Sequence, residues 1–278
     1  MPELEDKIAV ITGAGRGIGQ AIALSYAREG AILSLAARTA SELEETAVEC
    51  RKLGAEVLVT PTDVTDIEEV DRLVDATVLR YAAVDILVNN AGIGGPIGGL
   101  PENDVGEWVA TIQVNLIGTY LCCRAIVPVM KRNGSGRIVN LSGAGATNAW
   151  ANMSAYCSSK AAVVRLTEVL ALELVDTGIT VNALGPGSVH TRMWDELTDA
   201  AAESGSARIH ETGLRVQRGG GASIDRCADL AVWLASNETR ALSGRMISAF
   251  SDDFESMVEV IPDIMASDLY TMRRAEPY

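Results

Sequence analysis

Tyr156 and Lys160 are the two residues in this sequence best suited to moving a proton. Their spacing is i to i+4, so on a helix they share a face. An ammonium beside a phenol favours the phenolate and draws the phenol down from its ordinary pKa of about 10. A group that titrates near working pH serves best as general acid or base. Ser142 closes an apolar run that reads as a strand, and its hydroxyl could hydrogen-bond the oxygen of a reacting group. Taken alone, a Tyr-x-x-x-Lys spacing is more often a surface pair with its lysine in solvent. The surrounding sequence therefore decides. His190 and His210 are the only histidines, which leaves little material for a histidine zinc site or a Ser-His-Asp triad. Cys50, Cys122, Cys123, Cys157 and Cys227 are odd in number and lack a Cys-x-x-Cys spacing, so no metal site is expected and reduced thiols are.

A glycine-rich turn lies near the start. The apolar run Ile8–Ile11 leads into Thr12-Gly13-Ala14-Gly15-Arg16-Gly17-Ile18-Gly19, and a helical pattern follows. Glycines there let the backbone turn sharply and approach a pyrophosphate, while the helix N-terminus offers free N–H groups and the positive end of its dipole. The spacing is T-G-x-x-x-G-x-G, not G-x-G-x-x-G, because Ile18 stands where the third glycine would fall. A tight turn with no ligand stays open for this motif alone. Dinucleotide folds that take NAD usually place an acid at the end of the second strand. Here that place reads Ala36-Ala37-Arg38-Thr39. Arg38, with Arg16 in the glycine-rich turn, suits the oxygens of an adenosine 2′-phosphate. The residues thus predict NADP(H) over NAD(H), unless both arginines are merely solvated.

Seven short apolar runs serve as the frame: Ile8–Ile11, Ala31–Ala37, Val57–Thr60, Ile86–Val88, Ile138–Leu141, Thr180–Ala183 and Met246–Ala249. Most are apolar on both faces, as strands of a covered parallel sheet must be. Helical patterns alternate with them over Gly17–Arg28, Ser41–Leu53, Ile67–Tyr81, Val105–Lys131, Tyr156–Thr177 and Asp225–Ala235. The alternation predicts one α/β domain, a doubly wound, Rossmann-like parallel sheet with helices on both faces. Residues 1–250 form that domain. Residues 188–222 are polar, Gly- and Ala-rich and poorly periodic, and read as a mobile cover over a site. Residues 251–278 read as a C-terminal extension that packs on the body or on a neighbouring subunit.

In this order, the motifs resemble the short-chain dehydrogenase/reductase family, in its shorter single-domain branch. They are Thr12-Gly13 to Gly19, Asp63-Val64, Asn89-Asn90-Ala91-Gly92, Asn115 within Gln113–Gly118, Ser142, Tyr156 with Lys160, and Pro186-Gly187 with Thr191. The likeness spans roughly residues 5 to 250. It implies an enzyme that interconverts a secondary alcohol and a ketone by hydride transfer, with Asn115, Ser142, Tyr156 and Lys160 catalytic. It implies that Gly13, Gly15, Arg16, Gly17, Ile18, Gly19 and Arg38 bind the cofactor at its phosphates. Asp63 and Val64 would meet the adenine, and Asn89, Ala91 and Gly92 would pass near the ribose and diphosphate. Tyr156, Lys160, Pro186, Gly187, Val189 and Thr191 would hold the nicotinamide half. Asn115 would join Lys160, through water, to a proton relay. Asp63 could instead cap the helix that follows. A cofactor-binding sensor or scaffold without turnover is the rival reading, and an epimerase or dehydratase a third.

The family's usual paired glycines after the last strand are absent from Leu242–Phe254. The substrate pocket is expected from residues 93–100 and 143–154 and the cover, with Ile97, Trp150, Met153, His190, Met193 and Trp194 as candidates. Trp150 and Trp194 could equally be structural, and His190 fits the surface better than catalysis. The net charge of −14 and a pI near 4.6 argue against nucleic acid and anionic membranes as partners. The acidic N-terminus lacks a secretory pattern. A cytoplasmic protein acting on a small alcohol or carbonyl substrate is expected. By resemblance, the helices 105–131 and 156–177 would pair between subunits in a homodimer or homotetramer.

Overall fold

The computed structural model describes residues 2–274. Seven strands, β1 (Ile8–Thr12), β2 (Ile32–Ala37), β3 (Val57–Pro61), β4 (Ile86–Asn89), β5 (Gly136–Leu141), β6 (Ile179–Gly185) and β7 (Met246–Ser248), form one sheet. Their spatial order is β3-β2-β1-β4-β5-β6-β7. Every pairing is parallel. All seven sequence-predicted strands are therefore present, shifted at their ends by a residue or two.

The pleat explains why the strands read as unbroken apolar runs. Successive side chains point to opposite faces. Ala9, Ile11, Ile86, Val88, Val139 and Leu141 enter one core. Val10, Leu87 and Ile138, their neighbours in sequence, enter the other. The first core is closed by α1 (Gly17–Arg28) and α9 (Ile224–Ala235). The second is closed by α3 (Ile67–Tyr81) and α5 (Gly118–Asn133). Asp66 caps α3 by accepting from the Glu68 and Glu69 amides, and Ser223 caps α9 through the Arg226 amide. α2 (Ala40–Lys52) packs beside α1. Strand order reverses between β1 and β4, which opens a crevice beyond their carboxyl ends.

Two long helices differ from expectation. The segment expected over Val105–Lys131 runs Val105–Asn133 and contains a wide π turn at Gln113–Ile117, between α4 (Val105–Ile112) and α5. By length and composition this segment could cross a membrane. Its Leu121, Cys122, Cys123, Ile126 and Met130 instead lie buried in the second core. α6 (Ser154–Glu173) starts two residues before the expected Tyr156 and stops four before Thr177. Asp176 and Gly178 take left-handed φ angles of 64° and 75° and turn the chain into β6.

The stretch 188–222 carries two helices, α7 (Arg192–Glu203) and α8 (Ala207–Arg215), where no periodicity was legible. Both are amphipathic, but each is short and lies in a polar, Gly- and Ala-rich stretch, which masks the pattern. They pack closely, and a Cβ placed at Gly213 would fall 1.9 Å from Thr198 Oγ1. The tail folds back on the body. Phe254, Met257, Ile261 and Ile264 are buried in the first core, the last two on the short helix α10 (Ile261–Met265). Residues 275–278 of the expected extension lie outside the described residues.

Candidate active site

The crevice at the ends of β1 and β4 is walled by backbone held in place by one side chain. Asn90 donates to the carbonyls of Thr12 (2.9 Å) and Gly13 (3.0 Å). Thr12 Oγ1 in turn accepts from the Asn90 and Ala91 amides. Gly13 sits at φ 63°, and a Cβ there would meet Ala91 Cα at 2.9 Å. Gly19 packs against the turn from behind, where a Cβ would lie 2.2 Å from Gly13 O. The helix that follows, α1, has no side-chain cap at Arg16 and no acid in its first turn. Its first N–H groups and positive dipole end thus remain free for an anion. This fits the diphosphate of a dinucleotide.

The cleft measures about 410 Å³ and collects residues spread over most of the chain. Gly13, Gly15, Arg16, Gly17 and Ile18 line it from the first turn, and Arg38 from the end of β2. Asp63, Val64, Ala91, Gly92, Tyr156, Pro186, Gly187, Val189 and Thr191 complete the set of expected residues along it. Asp63 does not cap α3, since Asp66 does that; its Oδ1 accepts from the Thr65 amide and hydroxyl.

Three residues expected at the cofactor do not line the cleft themselves. Gly19 lies behind the turn, as described. Asn89 faces the interior and donates to Asn140 Oδ1 (2.8 Å) and Cys123 Sγ (3.3 Å). It is Asn90, its neighbour across the pleat, that lines the cleft. Lys160 is buried beneath the cleft wall, and its ammonium donates to the Leu141 carbonyl at 2.8 Å.

The four residues expected to do chemistry converge near the meeting of β5, α6 and the π turn. Tyr156 stands with its hydroxyl against the backbone of Gly143. Lys160 Nζ lies 6.0 Å from the centre of the Tyr156 ring. Among the described residues the Ser142 hydroxyl reaches only Met246 Sδ, at 4.0 Å. Asn115 is fully buried in the π turn. Its side chain accepts from the Ile93 amide (2.8 Å) and donates to the Ile93 carbonyl (3.0 Å) and Ser159 Oγ (3.0 Å). Wide turns of this kind often mark functional sites. The Asn115 side chain thus fixes the cleft wall, and both its Oδ1 and Lys160 Nζ stand at Gly92, where a Cβ would lie 3.1 and 3.5 Å from them.

The electrostatics run against the sequence expectation. Burial pushes the Tyr156 phenol up to about 12, with the neighbouring Cys157 adding to the rise. Burial also draws the Lys160 ammonium down to about 8. The protein alone therefore keeps the phenol protonated, because burial dominates and the Lys160 ammonium is itself buried and turned to Leu141.

A second, apolar pocket adjoins the cleft. Trp150, Met153, Tyr156, Met193, Trp194 and Leu197 line it, and its free volume is about 30 Å³. That is room for little more than a water or two. The rings of Trp150 and Trp194 lie 6.2 Å apart, tilted by 57°. Ile97 is buried in the same cluster without reaching the cavity. His190 points to Asp195 Oδ1 (3.1 Å) and lies outside the pocket.

Residues 7–202 match the family model described as short chain dehydrogenase. The chain belongs to the short-chain dehydrogenase family. Within it, the chain is 40% identical over 199 residues to the (2S)-[(R)-hydroxy(phenyl)methyl]succinyl-CoA dehydrogenase subunit BbsD of Thauera aromatica, covering 70% of this chain and 78% of that one. Its fold is similar to that of a single-residue variant of actinorhodin polyketide ketoreductase with NADPH, with a TM-score of 0.80 and 32% identity over 89% of this chain and 97% of that one. It is equally similar to NAD+-bound xylitol dehydrogenase, with a TM-score of 0.83 and 27% identity over 88% and 98%. Short-chain dehydrogenases of both cofactor types thus share this fold, and the chain is an oxidoreductase of this family.

Two cleft residues are not legible as such in the sequence. Asn90 stands in the Asn89–Gly92 motif, and its adjacency to Asn89 is its only signal. Glu42 belongs to none of the motifs. It lies on α2, lines the cleft and holds Arg16 at 2.8 and 3.2 Å.

Proposed function

We propose that the chain is an NADP(H)-preferring dehydrogenase/reductase that interconverts a secondary alcohol and a ketone, with Tyr156 as general acid and base. The observation that carries this reading is that Tyr156 borders both cavities, the long cleft and the small apolar pocket. A group that touches both is where an oxidant or reductant and its substrate would meet. The dinucleotide, when bound, would supply or accept the hydride.

The protein's part is binding, orientation and proton movement. The free amides at the start of α1 and the Gly13–Gly17 backbone would hold the diphosphate. Asp63 would hold the adenine, and Gly187, Val189 and Thr191 the nicotinamide half. The Tyr156 hydroxyl would give its proton to a carbonyl oxygen or take one from an alcohol. Lys160, one helical turn on, would stabilise the phenolate while that proton is away. The Ser142 hydroxyl would leave Met246 and hydrogen-bond the substrate oxygen. Asn115 would act as a positioning residue, through Ile93 and Ser159.

Cofactor preference rests on charge at the adenosine end. Arg38 lines the cleft and makes no ion pair among the described residues, and Ala37 and Thr39 beside it are uncharged. Two guanidiniums there favour a 2′-phosphate. The pocket's lining favours a small, apolar carbonyl compound as partner. Val105, Val109, Tyr120, Val169 and Leu172 are exposed apolar residues on α4, α5 and α6. They support a homodimer or homotetramer, and Leu172→Glu would shift its mass in light scattering toward the monomer. With a net charge of −14, nucleic acid and anionic membranes remain poor partners, and a cytoplasmic location is proposed.

The test is a panel of ketones with NADPH and separately with NADH, run on wild type and Tyr156→Phe. Faster turnover with NADPH, lost in Tyr156→Phe with cofactor binding intact, supports the reading. Tight NADPH binding with no turnover of ketones, or of alcohols with NADP+, would favour a binding protein instead.

A further inference from the structure

Glu42 is placed by packing as well as by charge. A Cβ built on Gly15 would lie 2.9 Å from Glu42 Cβ, so the glycine-rich turn touches α2 at this residue. One turn later, Thr46 Oγ1 donates to the Gly15 carbonyl (3.3 Å) and the Glu42 carbonyl (3.2 Å), and accepts from Gln20 Nε2 (3.2 Å). The Glu42 carboxylate is thereby delivered into the cleft at a fixed height above the turn. There it meets two cations. Both its oxygens accept from Arg16 Nη1, and Oε1 stands 3.7 Å from Arg192 Nη1 on α7. Arg192 has one other partner among the described residues, Glu196 on its own helix at 3.2 Å.

This arrangement puts an anion of the protein on one of the two guanidiniums that would face a 2′-phosphate. A phosphate bound there would compete with Glu42 for Arg16, and the two anions would repel one another. An unphosphorylated adenosine ribose carries no charge and leaves the Arg16–Glu42 pair as it is.

Resting on the NADP(H) reading above, we propose that Glu42 is a specificity-determining residue that also links cofactor identity to the cover. A 2′-phosphate takes Arg16 and releases Glu42. The freed carboxylate shortens the 3.7 Å contact it already makes with Arg192 and so fastens α7 more firmly to α2 over the loaded cleft. The phosphorylated cofactor tightens the cover in this way, and the unphosphorylated one leaves the contact as it is. Glu42 lowers the affinity for the phosphorylated cofactor in exchange for this coupling.

The experiment uses the full chain with Glu42→Gln, which keeps the Cβ packed on Gly15, and Arg192→Gln. Dissociation constants for NADPH and NADH come from cofactor fluorescence. Hydrogen exchange of residues 192–203 is followed with each cofactor. In wild type, NADPH is expected to slow exchange in α7 more than saturating NADH does. Glu42→Gln is expected to tighten NADPH by about two- to fivefold, the scale of an exposed ion pair, without tightening NADH. It should also erase the NADPH-specific protection. Arg192→Gln should lose that protection and, because the closure favours the phosphorylated cofactor alone, weaken NADPH relative to NADH. Equal shifts for both cofactors in Glu42→Gln, weaker NADPH binding, or equal protection by both cofactors in wild type would overturn the proposal. Failure of wild type to bind NADPH at all would instead overturn the cofactor preference on which it rests.

Discussion

The hydroxyl of Tyr156 rests against the Cα of Gly143, so closely that a Cβ at position 143 would fall 2.3 Å from the hydroxyl oxygen and 3.0 Å from Cζ. Gly143 has an extended backbone, φ −172°, which any residue adopts. Its role is therefore space and not conformational freedom. Gly143→Ala must push the phenol aside. A displacement of about an ångström at a reacting group costs on the order of a hundredfold. Steady-state kinetics should show kcat falling by that order while the dissociation constant for cofactor changes little.

Asn90 offers a different lesion. Asn90→Ala removes the two bonds that tie the carbonyls of Thr12 and Gly13 to β4. Leaving partly buried carbonyls unpaired costs about 1–3 kcal/mol. Urea unfolding should show a loss of that size. Cofactor affinity should fall with it, by about tenfold, because the phosphate-facing turn loses its brace.

The buried ammonium of Lys160 gives a pH signature. Its folded pKa is lowered from 10.5 to about 8 by burial. Below pH 8 both folded and unfolded chains hold the proton, and the cost of burying the charge is fully present. Between about pH 8 and pH 10 the unfolded chain binds more protons, so stability rises with pH there, with a slope of at most about 1.4 kcal/mol per pH unit. Chemical unfolding across that window should show this contribution in wild type and its loss in Lys160→Met. A wild-type slope no steeper than that of the variant would contradict the assignment.

The tail is fastened to the helix that carries Tyr156. The buried carboxylate of Glu168 accepts from the Met272 amide (2.6 Å) and pairs with Arg165 and Arg273. Tyr270 pairs the edge of β7 by accepting from the Met246 amide. Removing residues 268–278 would expose that edge and strand Glu168 with Arg165 alone. Arg273 is half-exposed and Arg165 remains, so the lost pair itself costs about 1 kcal/mol or less, and the lost edge pairing adds to it. The truncated chain should melt several degrees lower and aggregate more readily. An unchanged melting temperature would show that the tail adds nothing to the body.

What could be read from the sequence follows from what each element buries. Strands flanked by helices on both sides are mostly apolar on both faces, so Ile8–Ile11 and Ile86–Val88 announce themselves. α7 and α8 are amphipathic, with Leu197 and Ile209 buried, but each is short and mostly built from small or polar residues. The composition of the stretch therefore hides two helices whose pattern is present. Asn89 and Asn90 show the limit of a motif. Adjacent residues at a strand end face opposite ways, and only the pleat decides which one meets the cleft. The Arg16–Glu42 pair spans 26 positions and depends on how α2 docks against the first turn. The expected direction for Tyr156 failed for a related reason. Spacing predicts a neighbouring ammonium but not the depth at which both groups lie.

The π turn at Gln113–Ile117 has a consequence for tolerance to length change. A wide turn holds one residue more than the regular helix around it, and α4 and α5 run on from its two ends. Excising one residue there would let the regular ladder close without moving either helix far. The edited chain could remain well folded and would still lose the register that aims Asn115 at Ile93 and Ser159. At this place a one-residue deletion would separate folding from activity, so the surplus residue records a requirement of the site and not of the scaffold.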